Sequence, residues 1–233
     1  MNSKVVSKRE WVEARLALLK KEKEYSRLRD ELTKERLALP WVLVEKDYTF
    51  KSEQGLIHFS ELFGDKSQLI VQHFMFQEDW EAGCKSCSFM ADHINPALTH
   101  LAEKDVAFAA ISIAPVSQLL RYMQRMEWDF QWVSSVESEF NRDFNVSFND
   151  SELAAQSATY NYKENTSFPC KEAPGISVFK RVGDDEIYHT YSVYGRGLEK
   201  VMTTYDLLDM VPKGRDEGGN NMSWLRRKDE YEK

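Results

Sequence analysis

The chain has 233 residues, 42% of them hydrophobic and 30% charged, with 13 Phe, 10 Tyr and 6 Trp. That composition supplies a sizeable core and excludes a disordered or collagen-like chain. With 31 Lys plus Arg against 38 Asp plus Glu, the net charge of -7 argues against general attraction to nucleic acid or anionic lipid.

No apolar run approaches the roughly 18 residues of a spanning helix, and no signal peptide is visible, so the expected compartment is the cytoplasm and no membrane partner is expected. Ser7 and Glu10 have capping-box spacing, and Trp11, Ala14, Leu18, Tyr25, Leu28 and Leu32 fall on seven-residue positions, predicting one long amphipathic helix that Pro40 stops. Lys21 interrupts this seam. Two partners remain open for it: the chain's own core, or a second copy in a homodimer. Trp41 to Val44, Tyr48 to Phe50 and Ile57 to Phe59 read as short strands, the last two joined at Ser52 to Gly55. Leu69 to Phe76 is an almost continuous apolar run, as expected of a central strand buried on both faces. A helix follows Cys84, breaks near Asn95 and Pro96, and resumes to Lys104. Val106 to Ile113 is a second buried strand, Ser117 to Met126 a helix, and Trp132 to Ser135 a further strand. Strand, helix, strand, helix is a βαβ unit with parallel pairing. Ser151 to Thr166 is polar and reads as an inserted excursion. Gly175 to Phe179 and Ile187 to Val193, separated by Val182, Gly183, Asp184 and Asp185, form a hairpin, with a helix from Leu198 to Leu208 after it.

The chemistry centres on Cys84-Lys85-Ser86-Cys87, placed where a buried strand turns into a helix. A thiol at a helix N-terminus faces unsatisfied N–H groups and the positive end of the dipole, which favour the thiolate; a Lys85 ammonium bent back would add to this. The second cysteine, three residues on, can attack a mixed disulfide on the first and close a small ring. This is dithiol-disulfide exchange, with Cys84 as attacking thiolate and Cys87 as resolving thiol. His73, on the strand before the motif, reads either as a base serving Cys87 or as a hydrogen-bonded core histidine. Cys170 is either near Cys84 or an incidental loop cysteine, and Asp92 and His93 read as braces of the broken helix.

The order of the βαβ unit, Asp79-Trp80-Glu81-Ala82-Gly83 before Cys84, and Pro174 opening a hairpin and terminal helix resembles a thioredoxin-like fold. More closely, Leu39-Pro40-Trp41-Val42, Phe74-Met75-Phe76 with Asp79-Trp80, Ala91-Asp92-His93, Ser177-Val178-Phe179, Pro212 to Glu217, and Trp224 with Arg226-Arg227 and Asp229-Glu230-Tyr231 resemble the bacterial domain-of-unknown-function family numbered 899. That family is described as predicted dithiol-disulfide oxidoreductases. The resemblance implies an α/β thioredoxin-like fold: a central mixed sheet flanked by helices, with the long N-terminal helix as an addition. Pro174 takes the place of the cis-proline that packs beside the disulfide and offers backbone to an extended substrate segment. Trp80, Gly83 and Pro174 are the expected substrate-binding residues. Thioredoxin's buried acid has no counterpart in the strand Leu69 to Phe76, which offers only Gln72 and His73.

The expected organisation is an N-terminal helix over 1–38, a thioredoxin-like domain over 39–211 and a polar tail over 212–233. Arg215, Arg226 and Arg227 lie among acidic residues, which is no nucleic-acid patch, and Gly195-Arg196-Gly197 lacks the strand-to-helix context of a dinucleotide site. No cofactor and no metal are expected; a thiol or disulfide substrate and a separate reductant are the partners. Three alternatives stand beside this reading. One is a redox-inert binding module on the same fold. The second is a peroxidase of the peroxiredoxin kind, against which Gln77 and Glu81 replace the Pro and Thr or Ser of the Pro-x-x-x-Thr/Ser-x-x-Cys pattern. The third is a zinc site built on Cys84, Cys87 and two histidines, for which no second ligand pair is closely spaced.

Overall fold

The computed structural model describes residues 4–183 and 186–232. Asp184 and Asp185 of the expected hairpin turn lie outside the described residues. The chain divides into two compact units, Met1–Pro40 and Trp41–Lys233.

The first unit is helix α1, Lys8–Leu37. Ser7 and Glu10 form the expected capping box: Ser7 N donates to Glu10 Oε2 at 2.9 Å, and Glu10 N donates to Ser7 Oγ at 3.3 Å. None of the helix residues is buried, and Trp11, Leu18, Tyr25, Leu28 and Leu32 of the seam are all exposed.

The second unit is a mixed sheet covered on both faces. Its strands are β1 (Val42–Leu43), β2 (Thr49–Ser52), β3 (Gly55–His58), β4 (Gln68–His73), β5 (Val106–Ser112), β6 (Gln131–Ser134), and β9 (Gly175–Val182) with β10 (Glu186–Tyr194); β7 (Ala158–Tyr160) and β8 (Lys163–Thr166) form a separate pair. The sheet order is β1-β10-β9-β4-β5-β6-β2-β3, with β4, β5 and β6 parallel and every other pairing antiparallel. The helices are α2 (Lys85–Ile94), α3 (Leu98–Ala102), α4 (Val116–Arg125), α5 (Phe140–Asp143), α6 (Asp150–Ala155) and α7 (Thr203–Met210). The β4-α2-β5-α4-β6 run followed by the β9-β10 hairpin and α7 is the thioredoxin-like architecture.

Strand β4 lies between β9 and β5, which explains its unbroken apolar sequence. Ile70, Phe74 and Phe76 meet Cys87 and Met90 of α2 and Tyr122 of α4 on one face; Leu69 and Val71 meet Phe59, Phe63 and Phe140 on the other. Expected and observed elements differ in three places. The excursion expected over Ser151 to Thr166 is ordered as α6 with β7 and β8, around a small core that includes Phe148, Tyr160 and Tyr194. The helix expected from Leu198 to Leu208 is split into a 3-10 turn, Gly195–Val201, and α7. His93 fixes that break: its Nδ1 lies 2.6 Å from Phe89 O, which makes it the N–H donor and leaves Nε2 to accept from Thr204 N at 3.1 Å, capping α7. The tail expected over 212–233 instead packs on the domain, with Leu225 buried and Arg227 donating to Gly83 O.

Candidate active site

Cys84 is the N-cap of α2. Its N–H donates to Met75 O at 3.1 Å, which ties the start of the helix to the end of the central strand segment. Gly83 makes this approach possible: a Cβ there would lie 2.6 Å from Phe74 Cε1 and 2.8 Å from Tyr122 Cε1, both ring atoms in a packed core. Gly83→Ala is therefore expected to destabilise the fold by about 1–3 kcal/mol through overpacking, read as a lower urea midpoint at unchanged m. An unshifted midpoint would show that the rings yield freely.

The two thiols differ strongly. Cys84 is partly exposed, and its pKa is pulled down to about 6, chiefly by a hydrogen bond from the Cys87 side chain, with Ser86 adding to it against the opposing effect of burial. Ser86 Oγ lies 3.1 Å from Cys84 Sγ. Cys87 is fully buried, and burial, then the hydrogen bond to Cys84 and the charge of Cys84, push its thiol well above the usual range. Met75 N donates to Cys87 Sγ at 3.5 Å, and Gln72 Nε2 donates to Cys87 O at 2.9 Å.

His73 is a core histidine and not a base for Cys87. It lies on the sheet face opposite α2, stacked near Phe140 and Phe144, with Nδ1 2.9 Å from Asn141 Oδ1 and Nε2 2.8 Å from Ser177 Oγ. Burial drives its pKa down to about 4, so it stays neutral.

A buried acid coupled electrostatically to the dithiol comes from elsewhere. Glu172 is fully buried in the loop before Pro174; its Oε2 accepts from Phe76 N at 2.6 Å and its Oε1 from Ile113 N at 3.0 Å. Burial raises its pKa well above the carboxylate range, and the charge of Cys84 raises it further. Its own charge in turn raises that of Cys87. Cys170 Sγ donates to Glu172 O at 3.3 Å, and all three cysteines are free. Asp92 accepts from Trp128 Nε1 at 2.8 Å, and with His93 it braces the helices as expected.

The three expected substrate-binding residues separate. Pro174 joins Ser86 and Cys87 in lining a cavity of about 270 Å³. Trp80 lines a different recess of about 340 Å³ with Gln118 and Arg121. Gly83 acts through packing, as above. Among the described residues no peptide bond is cis, so Pro174 follows a trans bond where the resemblance implied a cis one. Among them too, no cluster of three or more His, Cys, Asp or Glu could hold a metal, and no helix is long and apolar enough to cross a membrane.

A family model described as "Bacterial protein of unknown function (DUF899)" matches residues 1–231. The chain belongs to this family. No curated protein matches this DUF899 member. Among solved structures, the peroxidoxin BcpB from Mycobacterium tuberculosis is similar at 13% identity and a TM-score of 0.49, covering 71% of this chain and 95% of its own. A mutant of peroxiredoxin Q from Xanthomonas campestris is similar at 10% identity and a TM-score of 0.46, covering 73% and 97%. The mitochondrial 2-Cys peroxiredoxin from Plasmodium falciparum gives 11% and 0.41, covering 75% and 96%. The fold assignment of the DUF899 chain rests on its own strand order and helix placement.

Proposed function

We propose that this DUF899 protein is a thiol-disulfide oxidoreductase in which Cys84 attacks a substrate disulfide and Cys87 resolves the product. The observation that carries this reading is the opposite displacement of the two thiols: one is partly exposed and held near pKa 6, and its neighbour is buried and held protonated. At neutral pH Cys84 is a thiolate, the form that attacks sulfur. Attack on R–S–S–R′ joins Cys84 to R–S and expels R′–S⁻. The negative charge at Cys84 disappears in that step. Because this charge raises both Cys87 and Glu172, its loss lowers both; Glu172 then gives up its own proton to solvent and, as a carboxylate, takes the Cys87 proton. The Cys87 thiolate then attacks Cys84 Sγ, releases R–S⁻ and leaves the Cys84–Cys87 disulfide, which a separate thiol reductant returns to the dithiol.

The test is the pH dependence of iodoacetamide alkylation of the reduced chain, mapped peptide by peptide. Cys84 should reach half its maximal rate near pH 6, with Cys170, raised by burial, lagging throughout. A midpoint near the free-thiol value of about 8.5 would leave the chain as a redox-inert module on this fold.

A further inference from the structure

The backbone around Pro174 and the cavity beside Cys87 together restrict which disulfides can reach the dithiol. An extended polypeptide docks by pairing its backbone with unused N–H and C=O groups. Here several of those groups are used internally. Lys171 O accepts from Phe148 N at 2.8 Å, Ala173 N donates to Val146 O at 2.9 Å, and Pro174 O accepts from Tyr160 Oη at 2.8 Å. Ser147 and Glu172 are bridged in antiparallel fashion. Beyond Pro174, β9 is held on one side by β4 and on the other by β10. Much of the backbone that the resemblance would offer to an extended substrate is thus engaged by the chain itself.

The cavity, in contrast, has a mainly apolar lining, with Arg196, Glu199, Glu217 and Asn221 as its charged and polar members. Met90, Leu198, Met202 and Met222 line it, and Cys87 and Ser86 face it from α2. Its volume of about 270 Å³ lies just under the roughly 300–1,000 Å³ of ordinary ligand pockets and suits a compact group. Unbranched, polarizable methionines adapt to varied apolar shapes. Ser86, whose hydroxyl touches Cys84 Sγ, connects the reacting sulfur to this cavity.

We infer that the dithiol acts on low-molecular-weight disulfides carrying a compact apolar group, which sits in the methionine-lined cavity, and not on disulfides within extended protein segments. This rests on the dithiol reading above. The chemistry is the exchange already written: the apolar R group stays on the sulfur joined to Cys84, R′–S⁻ leaves, and Cys87 then expels R–S⁻, with electrons restored by a thiol reductant.

The test uses the reduced full chain with butyl 2-pyridyl disulfide and 3-hydroxypropyl 2-pyridyl disulfide. The two share a leaving group and differ by a terminal methyl against a hydroxyl, and the released pyridinethione is followed by absorbance. The butyl compound should react about ten-fold faster, since the mainly apolar lining favours burial of the methyl end over the hydroxyl end. Met202→Gln should bring the ratio toward one by slowing the butyl compound, and Met222→Gln provides the same reading should the first variant fail to fold. Insulin disulfides should be reduced far more slowly than either probe. Equal rates for the two probes, or insulin reduction with a comparable kcat/KM, would overturn this substrate class while leaving the dithiol reading intact. A Cys84 that ignores both probes and also iodoacetamide at pH 6 would instead overturn the dithiol reading.

Discussion

Cys87→Ser is expected to keep rapid alkylation of Cys84 and to accumulate a stable mixed disulfide with substrate, whereas Cys84→Ser should lose disulfide reduction by about a thousand-fold or more, because a serine hydroxyl is not ionised at neutral pH. The contrast follows from the division of labour between a partly exposed thiolate and a buried thiol. A third variant separates the causes of the low Cys84 pKa. The largest is the hydrogen bond from the Cys87 side chain. Serine at position 87 retains an O–H donor, so the alkylation midpoint should remain below the free-thiol value. Alanine removes the donor, and the midpoint should rise from about 6 toward about 8.5. Coincident profiles for Cys87→Ser and Cys87→Ala would show that the helix terminus alone sets the thiolate. If both Cys84→Ser and Cys87→Ser leave reduction intact, the exchange mechanism is wrong.

The dithiol and the fold around it were legible because they are local. A capping box at Ser7 and Glu10, an apolar run at β4 and two cysteines three residues apart each declare themselves within a few positions. The acid does not. Glu172 reaches Phe76 across 96 residues of sequence, from a loop whose composition looks like any surface connection. That Gln72, and not His73, lies on the face beneath α2 was equally beyond the sequence. Successive residues of a strand point to opposite faces, so only one of the two lies under the helix. In a half-buried strand the polar positions would reveal the parity, but β4 is apolar on both faces. The occupied backbone at 171–174 was hidden for a related reason: its partners at 146–148 belong to the polar excursion, and nothing in their sequence marks them as a bridge. The charged tail misled in the opposite direction. Arg227 lies among exposed charges in sequence, yet its guanidinium closes on Gly83 O at 2.7 Å, one residue before Cys84.

Glu172→Gln should have two separable consequences, one on stability and one on the resolving step. For stability, the folded carboxyl holds its proton more tightly than the unfolded one. Between about pH 4.3, where the unfolded group titrates, and its raised folded value, the native state binds a proton that the unfolded chain has released, so wild-type stability falls as pH rises through that window. Glutamine has no such slope. It carries instead a constant cost of about 1–3 kcal/mol, because its amide nitrogen cannot accept from both Phe76 N and Ile113 N. In urea unfolding the wild-type advantage should therefore be largest at acidic pH and shrink toward neutrality; parallel curves would mean that the buried carboxyl does not titrate differently on folding. For chemistry, a preformed mixed disulfide on Cys84 should be resolved about a hundred-fold more slowly in Glu172→Gln, with the pH dependence of that step lost, since no carboxylate is left to take the Cys87 proton. The Cys84 alkylation midpoint, set by Cys87 and Ser86, should stay near 6. A merely structural role for Glu172 predicts a different pattern: the midpoint and the resolution rate would move together as the packing around α2 loosens, and the pH profile of resolution would keep its shape.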